Sequence, residues 1–436
     1  MEMDLGNLVL VMRNLNRQMK NKKIAFITNP DLQYNIEFYK YWSKLGFDID
    51  LITSYNDSFY DKKVKVISAF HQLNKKEYLI HEGIRILSSY AQKLYYFINK
   101  NKIERAMGTE KLSVPSIAHV ITHAYSISRY VNKQYYLFII GFDVFGYGLA
   151  TALCKNTFRV VQIFGGDVFM HANTTNLARK IVRYSLKKSD LIWNSSYSSS
   201  KIIPEKFNIN SDKFITISMG VDKRPFCKLR TKEVLKDLYS IDKDHKVIVN
   251  VRRFRPSWGS KLAIKAFLKL AKTHNEIHFI LFGGAGVKSN VKEAIELVKS
   301  NNLEHRFTFF ENNMTMIECL ELMSISDFST SLMIERDMKS LSISQAITLG
   351  TFPILSDQDE YKIMINQGLN AKLVDVKNED NVFEALDECV NNFEHYKIKV
   401  QENYSYVEKH ENWDIQNDKF INRIIQDIEK KKTCAE

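Results

Sequence analysis

Three stretches of this chain hold residues whose types and spacing suit the binding of an anion. The first is the polar loop Glu335-Arg-Asp337-Met-Lys339-Ser340, which runs into a short helix over 341–349 with small and apolar residues on one side. Gly350 ends that helix, and Pro353 sits in the next apolar strand. This order puts a helix N-terminus, with unpaired N–H groups and a positive dipole end, at the carboxyl edge of a sheet, a natural seat for phosphate. The second stretch, Val251-Arg-Arg253-Phe-Arg255-Pro-Ser-Trp258-Gly259-Ser-Lys261, gathers four cations around a strand-to-helix turn. Fixed cations stabilise the negative charge that builds on a departing phosphate. The third is Phe282-Gly283-Gly284-Ala-Gly286, whose glycines permit positive φ and close approach of a base or phosphate. An ordinary strand-to-helix turn reads the same way; its place at the carboxyl end of a strand favours ligand contact.

Other chemistries test poorly. The chain has no GxSxG, no HExxH, no phosphate-loop GKS/T, and no GxGxxG after its first strand, which argues against a dehydrogenase. Asp48-Ile-Asp50 matches the metal-binding DxD pattern, but Phe47, Ile49 and Leu51 alternate with the aspartates, as in a half-exposed strand with Asp48 and Asp50 on the solvent side. No Asp, Glu, His or Cys cluster has ligand-like spacing, so no metal site is expected.

These residues need two series of strands and helices to position them. Short apolar runs at 23–28, 47–52, 136–140, 159–163, 191–194 and 214–218 alternate with helical patterns, and 70–130 reads as mainly helical. A second series begins at 246–251 and continues with strands at 277–282, 307–310, 327–332, 352–355 and 371–374. Its helices fall at 291–300, 315–323, 341–349 and 361–367. Another helix, before the second strand of that series, places Leu262, Ala263, Ala266, Phe267, Leu270 and Ala271 on one face. Such alternation predicts an α/β chain with mostly parallel sheets covered on both faces. The expected organisation is an N-terminal domain over 1–219, a polar linker over 220–245 containing Pro225, a C-terminal domain over 246–396, and C-terminal helices over 397–436 packing back on the first domain.

The chain has 436 residues, more than one hydrophobic core usually supports, and 45% hydrophobic residues, ample for packed cores. Its five cysteines are dispersed and predict reduced thiols in the cytoplasm. No run of about 18 apolar residues suggests a membrane span, and Glu2 and Asp4 before the apolar residues 8–12 oppose a secretory signal. The net charge of +12 fits a solvated lysine-rich face or a peripheral site on an anionic inner membrane surface; no motif of nucleic-acid binding accompanies it.

In order and spacing, these segments resemble the GT-B glycosyltransferases, and family 4 in particular. Phe164-Gly-Gly-Asp167 resembles that family's Gly-x-Asp element, Ser218-Met-Gly220-Val-Asp222 its Asn-Gly-Val-Asp, residues 251–259 its Gly-Arg-Leu…Lys-Gly, and 282–286 its Gly-x-Gly. Asp337 and Gln345 stand where the family has two glutamates. The resemblance implies two Rossmann-like domains facing across a cleft, retention of anomeric configuration, no metal or other cofactor, a nucleotide-sugar donor, and a saccharide or lipid-linked acceptor. It implies hexosyl or N-acetylhexosaminyl transfer in bacterial surface polysaccharide or glycolipid assembly. Arg253 aligns with the family's phosphate-binding arginine. Trp258 takes the lysine position, so Lys261 becomes the expected second cation, with Arg252 and Arg255 behind it. Asp337 would accept hydrogen bonds from sugar hydroxyls and Gln345 would hold the ribose, beside Ser340 and Leu341; Gly283, Gly284 and Gly286 would contact the nucleotide. Asp167 and His171 would meet the acceptor or the transferred sugar. The changed glutamate and lysine positions support a second expectation, a non-catalytic GT-B protein that binds nucleotide-sugar or partners another transferase.

Overall fold

The computed structural model describes residues 22–28, 33–53, 66–87, 90, 117–254, 258–282, 288–312, 314–334 and 339–433. Residues 8–12, Arg255, Gly283, Gly284, Gly286 and Asp337 lie outside these, as do the readings made of them. Contacts divide the chain into two units, one of Met1–Asn194, Ser200–Thr216 and Lys430–Glu436, the other of Ser195–Ser199 and Ile217–Glu429.

The first unit is built on seven parallel strands: β1 (Lys23–Ile27), β2 (Asp48–Thr53), β3 (Val66–Ser68), β4 (Phe138–Phe142), β5 (Phe158–Ile163), β6 (Leu191–Asn194) and β7 (Phe214–Thr216). Their order is β3-β2-β1-β4-β5-β6-β7, which reverses direction between β1 and β4. β3 lies just ahead of the stretch 70–130 that reads as mainly helical, and its three residues are too few to show a period. Trp42 makes edge-on contacts with Phe26 and Phe138 beneath this sheet. Asp50 corrects the solvent-side reading of β2. That strand pairs with β1 and β3 on its two edges, and Asp50 is fully buried, held by Lys23 Nζ at 2.8 Å and by the Tyr136 hydroxyl at 2.7 Å. A polar residue alternating with apolar ones is equally the pattern of a buried strand that carries one ion pair.

The second unit has six parallel strands: β8 (Lys246–Asn250), β9 (Ile277–Phe282), β10 (Phe307–Phe310), β11 (Phe328–Ser331), β12 (Phe352–Ser356) and β13 (Lys372–Val374), in the order β10-β9-β8-β11-β12-β13. Successive residues of β8 serve opposite faces. Ile248 packs with Phe267 and Phe279, while Val247 and Val249 pack with Leu322 and Ile343. Both faces are therefore covered, as near-continuous apolar strands require. Helix Ser260–Thr273 buries the face that its 3.6-residue period marks out. Helix Met316–Ser324 starts in a capping box, where the Thr315 hydroxyl accepts from Glu318 N–H and the Glu318 carboxylate accepts from Thr315 N–H.

Residues 220–245, polar enough to suggest a linker, carry helix Lys232–Leu238. Leu235 and Ile241 enter the core of the second unit, and Arg230 forks onto the buried Glu321 carboxylate at 2.8 and 2.5 Å. Three helices close the chain, Glu379–Asn391, Phe393–His410 and Trp413–Thr433; Tyr406 and Val407 of the second join the same core. Among the described residues no helix is long and apolar enough to cross a membrane.

Candidate functional site

In an open parallel sheet the crevice for a ligand lies beyond the carboxyl ends of the strands, where the strand order reverses. In the second unit that point falls between β8 and β11. Asn250 ends β8 and fixes the turn that follows: its amide donates to Arg252 O at 3.2 Å and its carbonyl accepts from the Thr330 hydroxyl at 3.3 Å. Arg252 is then buried and Arg253 exposed, and Phe254 plunges into the core to anchor the loop. The Arg253 charge acts on Cys319, offsetting part of the upward push that burial gives that thiol.

Arg252 reaches across to β11. Its Nε donates to Ser331 Oγ at 3.1 Å, a terminal nitrogen meets the Met333 sulfur, and its guanidinium lies 5.0 Å from the centre of the Trp258 ring. Ser331 Oγ is 3.1 Å from the Tyr361 hydroxyl. Gly259 makes this turn possible. Its φ is +68°, and a Cβ there would stand 1.8 Å from the Leu332 carbonyl oxygen, so the residue after Trp258 must be glycine. Lys261, expected as the second cation, is not brought to this place. It lies on the outside of helix Ser260–Thr273, its side chain 70% exposed, and pairs with Glu293 at 2.6 Å.

Helix Leu341–Thr348 follows β11, with Ser340 as its N-cap in extended backbone. Ile343, Ser344, Ala346 and Ile347 are buried, which leaves Leu341, Ser342 and Gln345 on the more open side. Ser340, Leu341 and Gln345 are thus brought together at one helix start. The residue before the cap, Lys339, is buried and pairs with the fully buried Glu411, which also accepts from Ser218 Oγ at 2.7 Å and the Tyr406 hydroxyl at 3.3 Å. Sequence reasoning missed this pair: nothing local marks one lysine in a polar loop as buried, and its partner lies 72 residues away. It missed Asn250 and Ser331 too, which read as strand ends.

In the first unit the order reverses between β1 and β4, and the residue after β4 is Asp143, with φ +108°. An aspartate at positive φ is uncommon; here the carboxylate accepts from Gly146 N–H at 2.5 Å and holds the turn. Asp167, expected to meet a substrate, is buried, and its carboxylate accepts from the N–H groups of Val144 (2.8 Å), Phe164 (3.2 Å) and Val168 (3.0 Å). It stitches the loop after β4 to the loop after β5. Burial raises Asp143 to about 7 and Asp167 to about 6, and the Asp167 charge adds to the rise at Asp143. His171 sits edge-on to Phe145 at 5.3 Å; burial lowers its pKa and leaves Nδ1 without a partner among the described residues. The sequence Gly141-Phe-Asp143-Val-Phe-Gly146 after a strand was the available signal for Asp143.

Residues 231–405, which contain the whole sheet of the second unit, match the family model described as "Glycosyl transferases group 1". No curated protein matches the chain in sequence. Among solved structures, a glycosyltransferase from Rickettsia africae is similar at 16% identity and TM-score 0.67, covering 94% of this chain and 99% of its own. Sucrose-phosphate synthase from Thermosynechococcus elongatus is similar at 13% identity and TM-score 0.69, covering 95% and 100%. HepE from Anabaena, solved with UDP and glucose, is similar at 12% identity and TM-score 0.66, covering 93% and 100%. At such identities the structures speak for the fold, and the family model speaks for the second unit. The chain has the GT-B fold of these glycosyltransferases, and its residues 231–405 match the glycosyl transferases group 1 family.

Proposed function

We propose that this protein moves a sugar from a nucleoside-diphosphate donor to a hydroxyl acceptor with retention of configuration, in the assembly of a bacterial surface polysaccharide or glycolipid. The observation that carries the reading is at the reversal point of the second sheet. Arg252 and Arg253 leave β8 where helix Leu341–Thr348 begins after the adjacent β11. Two guanidinium groups and a helix N-terminus together suit a diphosphate, and they are aimed where charge develops as the glycosidic bond breaks. The fixed cations supply the charge that a metal supplies elsewhere, so turnover needs none. The departing phosphate takes the acceptor proton, while Asp167 spends its carboxylate on backbone N–H groups.

The solved relatives support the donor class: Anabaena HepE is described in complex with UDP and glucose, and WaaG as a glycosyltransferase of lipopolysaccharide biosynthesis. We place the enzyme in the cytoplasm, at the inner membrane face. The basic helix Asn176–Lys188, with exposed Leu177 and Tyr184, supports that placement. A binding protein without turnover is the second reading, favoured by Gln345 in place of the family's glutamate.

The test is calorimetric titration with UDP, GDP, ADP and dTDP, followed by release of sugar from the matching donor. One diphosphate should bind, and Arg253→Ala should lower turnover on the order of 10²–10³. If none of the four diphosphates binds, the donor reading falls. Binding with no transfer and no donor hydrolysis leaves the binding protein.

A further inference from the structure

Residues 75–87 and Tyr90 of the first unit are helical, and their polarity runs opposite to that of an ordinary surface helix. The ionisable residues Glu77 and His81 are 3% and 0% exposed, while Leu79, Leu87 and Tyr90 are 62%, 73% and 70% exposed. We infer that this outward apolar face inserts into the surface of a bilayer containing anionic lipid, as a contact additional to the basic helix Asn176–Lys188. The inference rests on the membrane placement proposed above.

A helix on the surface of a soluble protein turns its charged residues to water and its apolar stripe to the core. Here Glu77 faces inward, where its carboxylate accepts from Arg129 at 2.7 Å and from Lys133 at 2.8 Å, residues in and just after helix Ile117–Val131. His81 also faces inward, edge-on to Phe70 at 5.1 Å. At 3.6 residues per turn, Tyr78, Leu79, Ile80, Ile86, Leu87 and Tyr90 fall within about 200° of the opposite side. Six of the fifteen exposed large hydrophobic residues among the described residues are gathered there, which sets this face apart from the single exposed apolar residues that any surface carries. Lys75 and Lys76 at the helix start are exposed, and the remaining carboxylate, Glu82, accepts from Arg85 at 2.8 Å. The face therefore offers apolar groups and cations. A bilayer answers both, with acyl chains for the leucines and isoleucines, phosphate head groups for the lysines, and the boundary between them for the tyrosines. A second copy of the chain would bring the same cations and no free carboxylate to meet them.

The experiment sediments the full chain with vesicles of phosphatidylglycerol and phosphatidylcholine, at low salt and at about 0.5 M salt, where charges are screened and apolar contact is not. Wild type should pellet with the vesicles, and part of its binding should survive the higher salt. Leu79→Ser/Leu87→Ser should lower the partition coefficient roughly 10- to 100-fold at both salts, as for two leucines that no longer leave water. Both leucines are exposed, so the variant should melt within about 2 °C of wild type. Lys180→Ala/Lys187→Ala on the basic helix should weaken binding at low salt only. Wild-type binding that vanishes at the higher salt, or that the leucine variant retains, overturns the inserting face and leaves the placement by the basic helix in force. A wild type that binds no vesicles removes both. A wild-type dimer at sedimentation equilibrium that the leucine variant turns into monomer gives the face to a second copy and overturns the inference as well.

Discussion

Replacing Glu411 by glutamine tests whether the segment that enters helix Leu341–Thr348 is held by a buried ion pair. Glu411 is fully buried and Lys339 has a side chain only 6% exposed. The carboxylate accepts from Lys339, from Ser218 Oγ and from the Tyr406 hydroxyl. Glutamine keeps the size and one acceptor, but its amide turns a donor toward groups that also donate, and the ammonium is left buried without its counter-charge. Breaking a buried pair from one side costs about 3–5 kcal/mol. In a body of about two hundred residues, each kcal/mol shifts the melting temperature by about 2–4 °C, so the loss should be roughly 6–20 °C. The assay is scanning calorimetry of wild type, Glu411→Gln, Lys339→Met and the double variant Lys339→Met/Glu411→Leu. The double variant should melt well above either single one, because apolar groups of similar volume often replace a buried pair at little cost. Single variants melting within about 2 °C of wild type would refute the buried pair. Diphosphate affinity should fall in the single variants, since Lys339 directly precedes Ser340.

Gly259→Ala should destabilise the second unit by about 1–2 kcal/mol for the left-handed backbone and about 1–3 kcal/mol more for the displaced Leu332 carbonyl, read by urea unfolding. Asp143 and Asp167, raised to about 7 and about 6, bind protons in the folded state that the unfolded chain has lost. Their contribution is therefore full below about pH 4 and is lost as pH rises through 6 to 7, so the stability gap between wild type and Asp143→Asn should shift against wild type from pH 5 to pH 7.5. His171, whose pKa is lowered, works in the opposite sense and is common to both proteins, which is why the difference is measured. Gln345→Ala should remove about 1–2 kcal/mol of donor binding by calorimetry and Gln345→Glu should keep or raise it; equal affinities in all three would remove Gln345 from the site. Turnover should persist in excess EDTA, and its loss with recovery on adding magnesium or manganese would end the metal-free reading.

The two parallel sheets were legible because their evidence is local. An apolar run such as Ile277–Phe282 must be a strand buried on both faces, and Leu262, Ala263, Ala266, Phe267, Leu270 and Ala271 must share one side of a helix. Ranges such as Leu191–Asn194 and Phe307–Phe310 follow from such runs. Glycine pointed to the turn at Gly259, and the string of segments around 251–259 and 335–353 pointed to the family. What side chains do across the fold was not legible. Asp50 looked solvated until Lys23 and Tyr136 closed over it, and Asp167 looked like a substrate ligand until three backbone N–H groups claimed it. Lys261 and Arg252 are nine residues apart in one basic stretch, and only the path of the turn past Trp258 sends one outward and the other across the strand ends. Periodicity reports which face of an element is buried; which partner meets a polar group there depends on chain segments far away in sequence, and only the tertiary structure brings them within reach.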